Sequence, residues 1–458
     1  MVIIYFILLI NIALSSISIV PEDFETIQDA ILEASNGDSI IVMPGVYYEN
    51  ISISNKIISI VSSGGPLETV INGSSSGPVV VFDSVSDSSA LLSGFTITNG
   101  SGEFINGAHY GGGVLSKYSM PKLDNLVISN NTAFAGGGIC YYATSPTDNH
   151  PIISNTLIEN NLASEGGGVF CVNHLLTIRD SHISANGMDM FGSGGGVQIL
   201  LSSINFDNVV ISQNQTRFGG GIYLASSIGI VKNTTIENNL SESRGGGIWI
   251  GGDSNLDIER SLISKNHSVD IGGGAFILSS DLDFINSTLS GNTVGSNTSG
   301  AAIYSDGGHS NIKNSIVYFN RLENNFSNPN YNLGGYSGNI FSEYDISYSD
   351  IEGNDIPQGE GVINQDPLFV DSSNDNYSLM FNSPCIGTGE DGTDMGRYSY
   401  QEFITGDLNG DLLLNILDIV LMVDLVLNGI YSGPADINLD NLINVQDIVL
   451  AINLILDA

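Results

Sequence analysis

The chain has 458 residues, with 49 Asp and Glu against 12 Lys and Arg, and its formal charge of −37 reflects a scarcity of basic residues more than a surplus of acids. Such a surface repels nucleic acid and anionic membrane, which excludes both as partners, and it disfavours acidic glycans unless divalent cations bridge them. Three cysteines, Cys140, Cys171 and Cys385, make no disulfide framework, and the length suits a solenoid with a small module better than a single globular core.

Residues 2–14, VIIYFILLINIAL, are an apolar run followed by small residues at Ser15 to Ser18. Residues 1–18 read as a secretory signal with cleavage near Ser18, which makes the mature protein exported, of bacterial type, and secreted or held at the cell surface. No Lys or Arg precedes the run, so an uncleaved anchor is the other reading; no second candidate span follows. Phe24 to Ala34 is amphipathic, with Ile27, Ala30, Ile31 and Ala34 on one face, the pattern of a helix that caps a solenoid end.

From about Phe95 to Asn320 one phrase returns: an Ile, Leu or Val three residues before an Asn, then a glycine triplet and an apolar run. The triplets begin at Gly111, Gly136, Gly166, Gly194, Gly219, Gly245 and Gly272, a period of about 25 to 30 residues, which is that of a solenoid coil. One Asn column runs Asn131, Asn161, Asn186, Asn214, Asn239, Asn266, Asn292, Asn320. A second polar column lies six residues earlier, Asn125, Asn155, Asp180, Asn208, Asn233, Asn286 and Asn314, interrupted by Arg260. Ile128, Ile158, Ile183, Ile211, Ile236, Ile263 and Leu289 fill one inward column, and Leu123, Ile153, Ile178, Phe206, Ile258 and Phe284 another.

Short β-branched runs broken by turn residues are strands, and a coil of three such strands buries its apolar face only by stacking on its neighbours. Stacking places equivalent residues about 4.8 Å apart, where Asn side chains hydrogen-bond up a column. The expected fold is an all-β, right-handed parallel β-helix over residues 19–400, right-handed because crossovers between parallel strands nearly always are.

The outward column seven residues before each Asn, Asp124, Ser154, Arg179, Asp207, Lys232, Glu259, Ile285, Lys313, alternates in charge from Arg179 to Glu259, a pattern of ladder ion pairs on a solvated face. Catalytic candidates gather in IRDSHISANGMDM. His182 near carboxylates is a possible acid or base, and Asp180 with Asp189 beside Arg179 is a possible hydrolytic pair at the right separation. A further outward column lies beyond each triplet: Leu115, Cys140, Phe170, Gln198, Tyr223, Trp249, Phe276, Tyr304. Its consecutive rings, Tyr223, Trp249, Phe276 and Tyr304, form an expected exposed stripe suited to sugar faces; rings stacked only for sheet stability, or lying under a loop, are the alternative.

After about Glu402 the composition changes to two loop–helix segments of one plan, Asp-x-Asn-x-Asp with Asn at the ninth position and Asp at the twelfth. The first supplies Asp407, Asn409, Asp411, the Leu413 carbonyl, Asn415 and Asp418; the second supplies Asp436, Asn438, Asp440, the Leu442 carbonyl, Asn444 and Asp447. Oxygen donors at this spacing suit calcium. The sixth position usually holds Gly; here it holds Leu412 and Asn441, and Asn tolerates the left-handed region better than Leu, so the second loop should bind more tightly.

The coils resemble the β-helix repeats of the pectin lyase-like superfamily, and FETIQDAILEASNGDSIIVMPGVYYENISI resembles the opening segment of pectinesterase-like proteins. The duplicated loops over 401–458 resemble a type I dockerin, which implies a calcium-dependent partner of cohesin type on a scaffold or surface protein. The residues that commonly select that partner correspond to Ile416 and Leu417, then Val445 and Gln446, and they lack the usual hydroxyls. The paired Asp and Arg signature of pectinesterases is not recognisable. Three readings stand: an exported calcium-binding protein that binds or processes extracellular polysaccharide, a glycoside hydrolase or polysaccharide lyase, and a non-catalytic adhesin or spacer.

Overall fold

In the computed structural model the described residues are 15–85, 87–295, 300–323, 332–335, 343–353, 359–400, 405–408, 413–438, 440 and 442–457, without the side chains of 188–191 and 457. Residues 1–14 of the expected signal lie outside them, and the expected cleavage near Ser18 falls within a strand, Ile17–Val20, that pairs in parallel with Ser39–Val42. The chain divides into two units, one of Met1–Pro367 with Pro384–Tyr398 and one of Leu368–Ser383 with Ser399–Ala458.

The first unit is a parallel β-helical solenoid. Among the described residues its coils contribute strands to parallel sheets of 23, 11 and 6 strands. One coil illustrates the path: Ile222–Ala225 lies in the 11-stranded sheet, Ile228–Lys232 and Thr235–Glu237 lie in the 23-stranded sheet, and Leu240–Arg244 lies in the 6-stranded sheet. Gly245 then turns the chain into Ile248–Gly251, directly above the start of the previous coil.

Both inward apolar columns are fully buried, from Ile128 to Leu289 and from Leu123 to Phe284, with Val231 filling the latter between Phe206 and Ile258. The Asn ladder is continuous. Each Nδ2 donates to the Oδ1 of the Asn in the next coil, at 3.0 Å from Asn131 to Asn161 and 3.0 Å from Asn214 to Asn239. The same Oδ1 also accepts the preceding Asn's backbone N–H, while Nδ2 makes a second bond to the previous coil's Ile carbonyl, as Asn214 does to Ile183 at 2.9 Å. Asn332 adds a further rung beyond Asn320 at 2.7 Å.

The second polar column has a different reason. From Asn125 to Asn314, Asp180 and Arg260 included, every member has φ between 44° and 55°, the left-handed bend that Asn adopts more easily than other side chains. Its side chains make scattered bonds, such as Asn208 to Asp180 at 2.9 Å, instead of the continuous ladder expected from spacing. Two hydroxyl ladders not read from the sequence accompany it: Thr234, Ser261, Ser287, Ser315 and Ser349, and Ser202, Ser227, Ser254 and Ser280, each accepting the preceding coil's backbone N–H.

The glycine triplets combine two requirements. The first glycine is left-handed, as at Gly219 with φ 65°, and a Cβ on the next two would sit 2.5 and 2.6 Å from the Gly246 and Gly247 carbonyl oxygens of the coil above.

Near the chain start a helix, α1 (Ile27–Glu33), is shorter than the amphipathic stretch because Thr26 caps it, accepting from Asp29 N. It buries Ile27, Ala30 and Ile31. The Glu49 carboxylate accepts from the Ile27 and Gln28 amides, and Lys56 Nζ donates to the Ile31 and Leu32 carbonyls, so each end of the helix meets a charge of the favourable sign.

Pro384–Tyr398 returns along the outside of the solenoid. Arg397 reaches across to the Thr234 and Asn233 carbonyls and the Thr235 hydroxyl. Glu390 pairs with Lys313 at 2.7 Å, and Cys385 Sγ donates to Asp350 Oδ2 at 3.3 Å.

In the second unit, α2 (Ile416–Asn428) and α3 (Val445–Asp457) bury Ile419, Met422 and Ala451 together with Ala435. The Asn415 and Asp418 side chains form a capping box at the start of α2. Many of the helices' apolar side chains remain exposed, among them Ile416, Val420, Leu427, Val445, Val449 and Leu456. Among the described residues no helix is long and apolar enough to cross a membrane.

Candidate functional site

Strand alternation turns the column that starts at Leu115 away from the core, and parallel pairing stacks it in register through Cys140, Phe170, Gln198, Tyr223, Trp249, Phe276 and Tyr304. The rings stack as the spacing implies. Tyr223 and Trp249 are 4.1 Å apart and nearly parallel at 5°, Trp249 and Phe276 are 6.3 Å apart, and Phe276 and Tyr304 are 6.0 Å apart.

The stripe is less exposed than its sequence suggests. Leu115, Cys140 and Phe170 are buried with Ile105 and Tyr110, which come from a hairpin, Glu103–Ile105 with Ala108–Tyr110, that covers the first part of the column. Phe276 is also fully buried: the Arg244 guanidinium lies 5.1 Å over its ring. Tyr223, Trp249 and Tyr304 are half-buried and form the accessible part.

Polar groups gather beside these rings. Burial raises the Tyr223 hydroxyl's pKa and the charge of Glu165 adds to the rise; Tyr110 responds in the same sense to burial and, more weakly, to Glu165. Arg217 lies 5.0 Å over Phe218, and Phe218 pairs with Arg244 on the next coil. Among the described residues neither Arg217 nor Arg244 has a carboxylate partner, whereas Lys117, Lys122, Lys232, Lys313 and Arg321 do. Among the described residues, Arg217 and Arg244 therefore leave positive charge on this side of the solenoid that no carboxylate neutralises. Gln198, between Phe170 and Tyr223, is 3% exposed, and its amide oxygen has no hydrogen-bond partner among the described residues. An orphaned buried amide costs about 1–3 kcal/mol.

The catalytic candidates engage different neighbours. Arg179, Asp180 and His182 share one strand, Leu175–Ser184. Asp180 accepts from Asn208, whereas His182 Nε2 hydrogen-bonds Ser212 Oγ at 3.0 Å. Burial lowers the His182 pKa and Glu159 partly opposes that. The Asp189 side chain lies outside the described residues. In the neighbouring charge column Lys232 pairs with Glu259 at 3.0 Å, and Lys313, which lacks an acid within the column, pairs with Glu390.

In the C-terminal loops Asp407, Asp418, Asp436 and Asp447 are buried, while Asn409, Asp411, Leu412 and Asn441 lie outside the described residues. Asp418 accepts from the Leu408 and Asn415 amides, and Asp447 does the same from Ile437 and Asn444. Asn415 and Asn444 accept from Leu417 N and Gln446 N, Asp440 and Asn438 are linked at 3.0 Å, and Leu413 and Leu442 are exposed. The all-oxygen donor set has the chemistry of a calcium ligand shell. Among the described residues no three acidic, Cys or His side chains converge as a metal site; Asp418 and Asp447 accept from backbone amides, and Asp436 accepts from the Tyr431 hydroxyl as well as from Asp440 N.

No family model and no curated protein matches the chain. Similar solved structures include pectate lyase Pel9A, at 13% identity over 85% of this chain and 98% of that one, with a TM-score of 0.46. An alginate lyase from a Paenibacillus species is 14% identical over 69% of this chain and 95% of that one, with a TM-score of 0.31. The A-module of an Azotobacter vinelandii mannuronan C-5 epimerase is 13% identical over 74% and 90%, with a TM-score of 0.30.

Proposed function

We propose that the chain is an exported, right-handed β-helix protein, capped by α1, that binds extracellular polysaccharide along the outer face marked by Tyr223, Trp249 and Tyr304. The observation that carries this reading is the parallel-stacked, half-buried pair Tyr223 and Trp249, with Arg244, which has no carboxylate partner among the described residues, over the neighbouring Phe276. Flat rings accept the C–H faces of sugars, and Tyr and Trp keep a polar edge for hydroxyls. Arg217 and Arg244 favour glycans that carry acidic substituents. In this reading the C-terminal loops bind calcium through the buried Asp407, Asp418, Asp436 and Asp447, and the exposed apolar side chains of α2 and α3 dock on a cohesin-like scaffold or surface protein, as in a dockerin.

Retention of the purified chain on immobilised neutral and acidic polysaccharides, compared with Trp249→Ala, tests the proposal. Retention lost in the variant, without new chain ends, supports binding. New reducing or unsaturated ends would make the protein an enzyme, and no retention on any glycan would overturn the reading.

A further inference from the structure

We infer that Gln198 is the specificity-determining polar anchor of this face, recognising a pair of adjacent free hydroxyls on a sugar ring that packs against Tyr223. The inference rests on the polysaccharide reading above and adds the chemical class of the ligand. From Leu115 to Tyr304 the outward column is otherwise Leu, Cys, Phe, Tyr, Trp, Phe and Tyr, so Gln198 is its one amide. Val197 and Ile199 on either side belong to the core, which turns Gln198 outward between Phe170 and Tyr223. It is 3% exposed, and its carbonyl oxygen lacks a partner among the described residues.

An apolar side chain would serve the packing better, since a buried amide with an unmet bond is destabilising. What an amide adds is an acceptor and a donor side by side, matched to a vicinal diol, in which one hydroxyl donates to the oxygen and its neighbour accepts from the NH2 group. The side chain reaches a ligand by changing rotamer, with the strand unmoved.

Gln198→Met keeps the length and removes both hydrogen-bonding groups. The expected result is a higher melting temperature together with at least tenfold weaker retention on a glycan that wild type holds. Wild type should also discriminate at least tenfold against the same glycan with its adjacent hydroxyls methylated, and the variant should not. Unchanged retention or unchanged discrimination in Gln198→Met overturns the inference while leaving the polysaccharide reading intact if Trp249→Ala still loses retention. Failure of wild type to retain any glycan overturns both.

Discussion

The indole of Trp249 lies flat against the phenol of Tyr223, with 4.1 Å between ring centres and 5° between planes. Trp249 is the only tryptophan in the chain, so its emission reports on this face alone. A sugar ring that displaces water from the pair shifts the emission to the blue with a saturable dependence on glycan, and Tyr223→Ala weakens the affinity read from that response by about two- to tenfold, on the roughly 0.5–1.5 kcal/mol that an aromatic contact supplies. A fluorescence titration that stays flat while the glycan is retained would place the ligand elsewhere.

Arg244 sits over Phe276 without a carboxylate partner among the described residues. In Arg244→Gln, retention on an acidic polysaccharide should fall several-fold at low ionic strength and become less sensitive to added salt, because one screened attraction is gone. Retention on a neutral glycan should change by less than about twofold, measured side by side on the same columns.

The two polar columns should respond differently to mutation. The Asn214 side chain makes four ladder bonds in a buried setting, and Asn214→Ala should lower stability by about 3 kcal/mol, because partners on both sides are left unpaired. Asn208, bent at φ 55° with one side-chain bond to Asp180, should cost about 1 kcal/mol as Asn208→Ala. Urea unfolding of the two variants gives the comparison; equal losses would contradict the distinct roles.

Asp350 is a pH-sensitive element. Burial pushes its carboxyl up to about 7, against hydrogen bonds from Gln365 N and Cys385 Sγ that pull it down, while Asp366 and Glu352 reinforce the rise. Tyr318, pushed up to about 12 by burial first and then by Glu352, Asp350 and Asp366, and Arg321, paired with Glu352 at 2.6 Å, complete its charged surroundings. Unfolded Asp titrates near 3.9, so the folded state holds the proton more tightly. Its stabilising contribution is whole below about pH 4 and is lost as pH rises through about 7, by up to roughly 4 kcal/mol. Asp350→Asn should flatten that part of the pH dependence, read as the difference in urea midpoint between wild type and variant at pH 4.5 and pH 8.

On the calcium proposal, chelation should lower the helicity of α2 and α3 and expose this unit to proteolysis, because a module this small needs the ion to fold. Asp447→Ala should weaken binding at the tighter of two sites by calorimetry, and Asp418→Ala at the weaker one. An unchanged circular dichroism spectrum and protease pattern with and without calcium would rule out the structural role.

The coil architecture was legible because stacking makes every coil solve the same packing problem, so Ile128, Ile158 and Ile183 repeat visibly with the Asn column beside them. What escaped the sequence came from segments outside the repeat or from conformation. The hairpin ending at Tyr110 covers Phe170, and Arg244 covers Phe276, although alternation alone turned both rings toward solvent. The φ of Asn208 explains its residue type, and no spacing reveals that angle. Glu390 reaches Lys313 from a segment with no repeat to mark it. Tandem hydroxyls such as Ser261 and Ser287 escaped because Ser is common throughout the coils.

Each rung of the Asn ladder offers the next the same bonds, so the stack has no preferred length. Excising residues 214–238, the 25-residue step between Asn214 and Asn239, would join Gln213 to Asn239 and give Asn186 a partner chemically identical to the one it lost. Removing a single residue from the same coil would put every following side chain on the wrong face. The gene for such a protein is therefore free to lengthen or shorten by whole coils and intolerant of small slips, and its length can drift while its cross-section stays fixed.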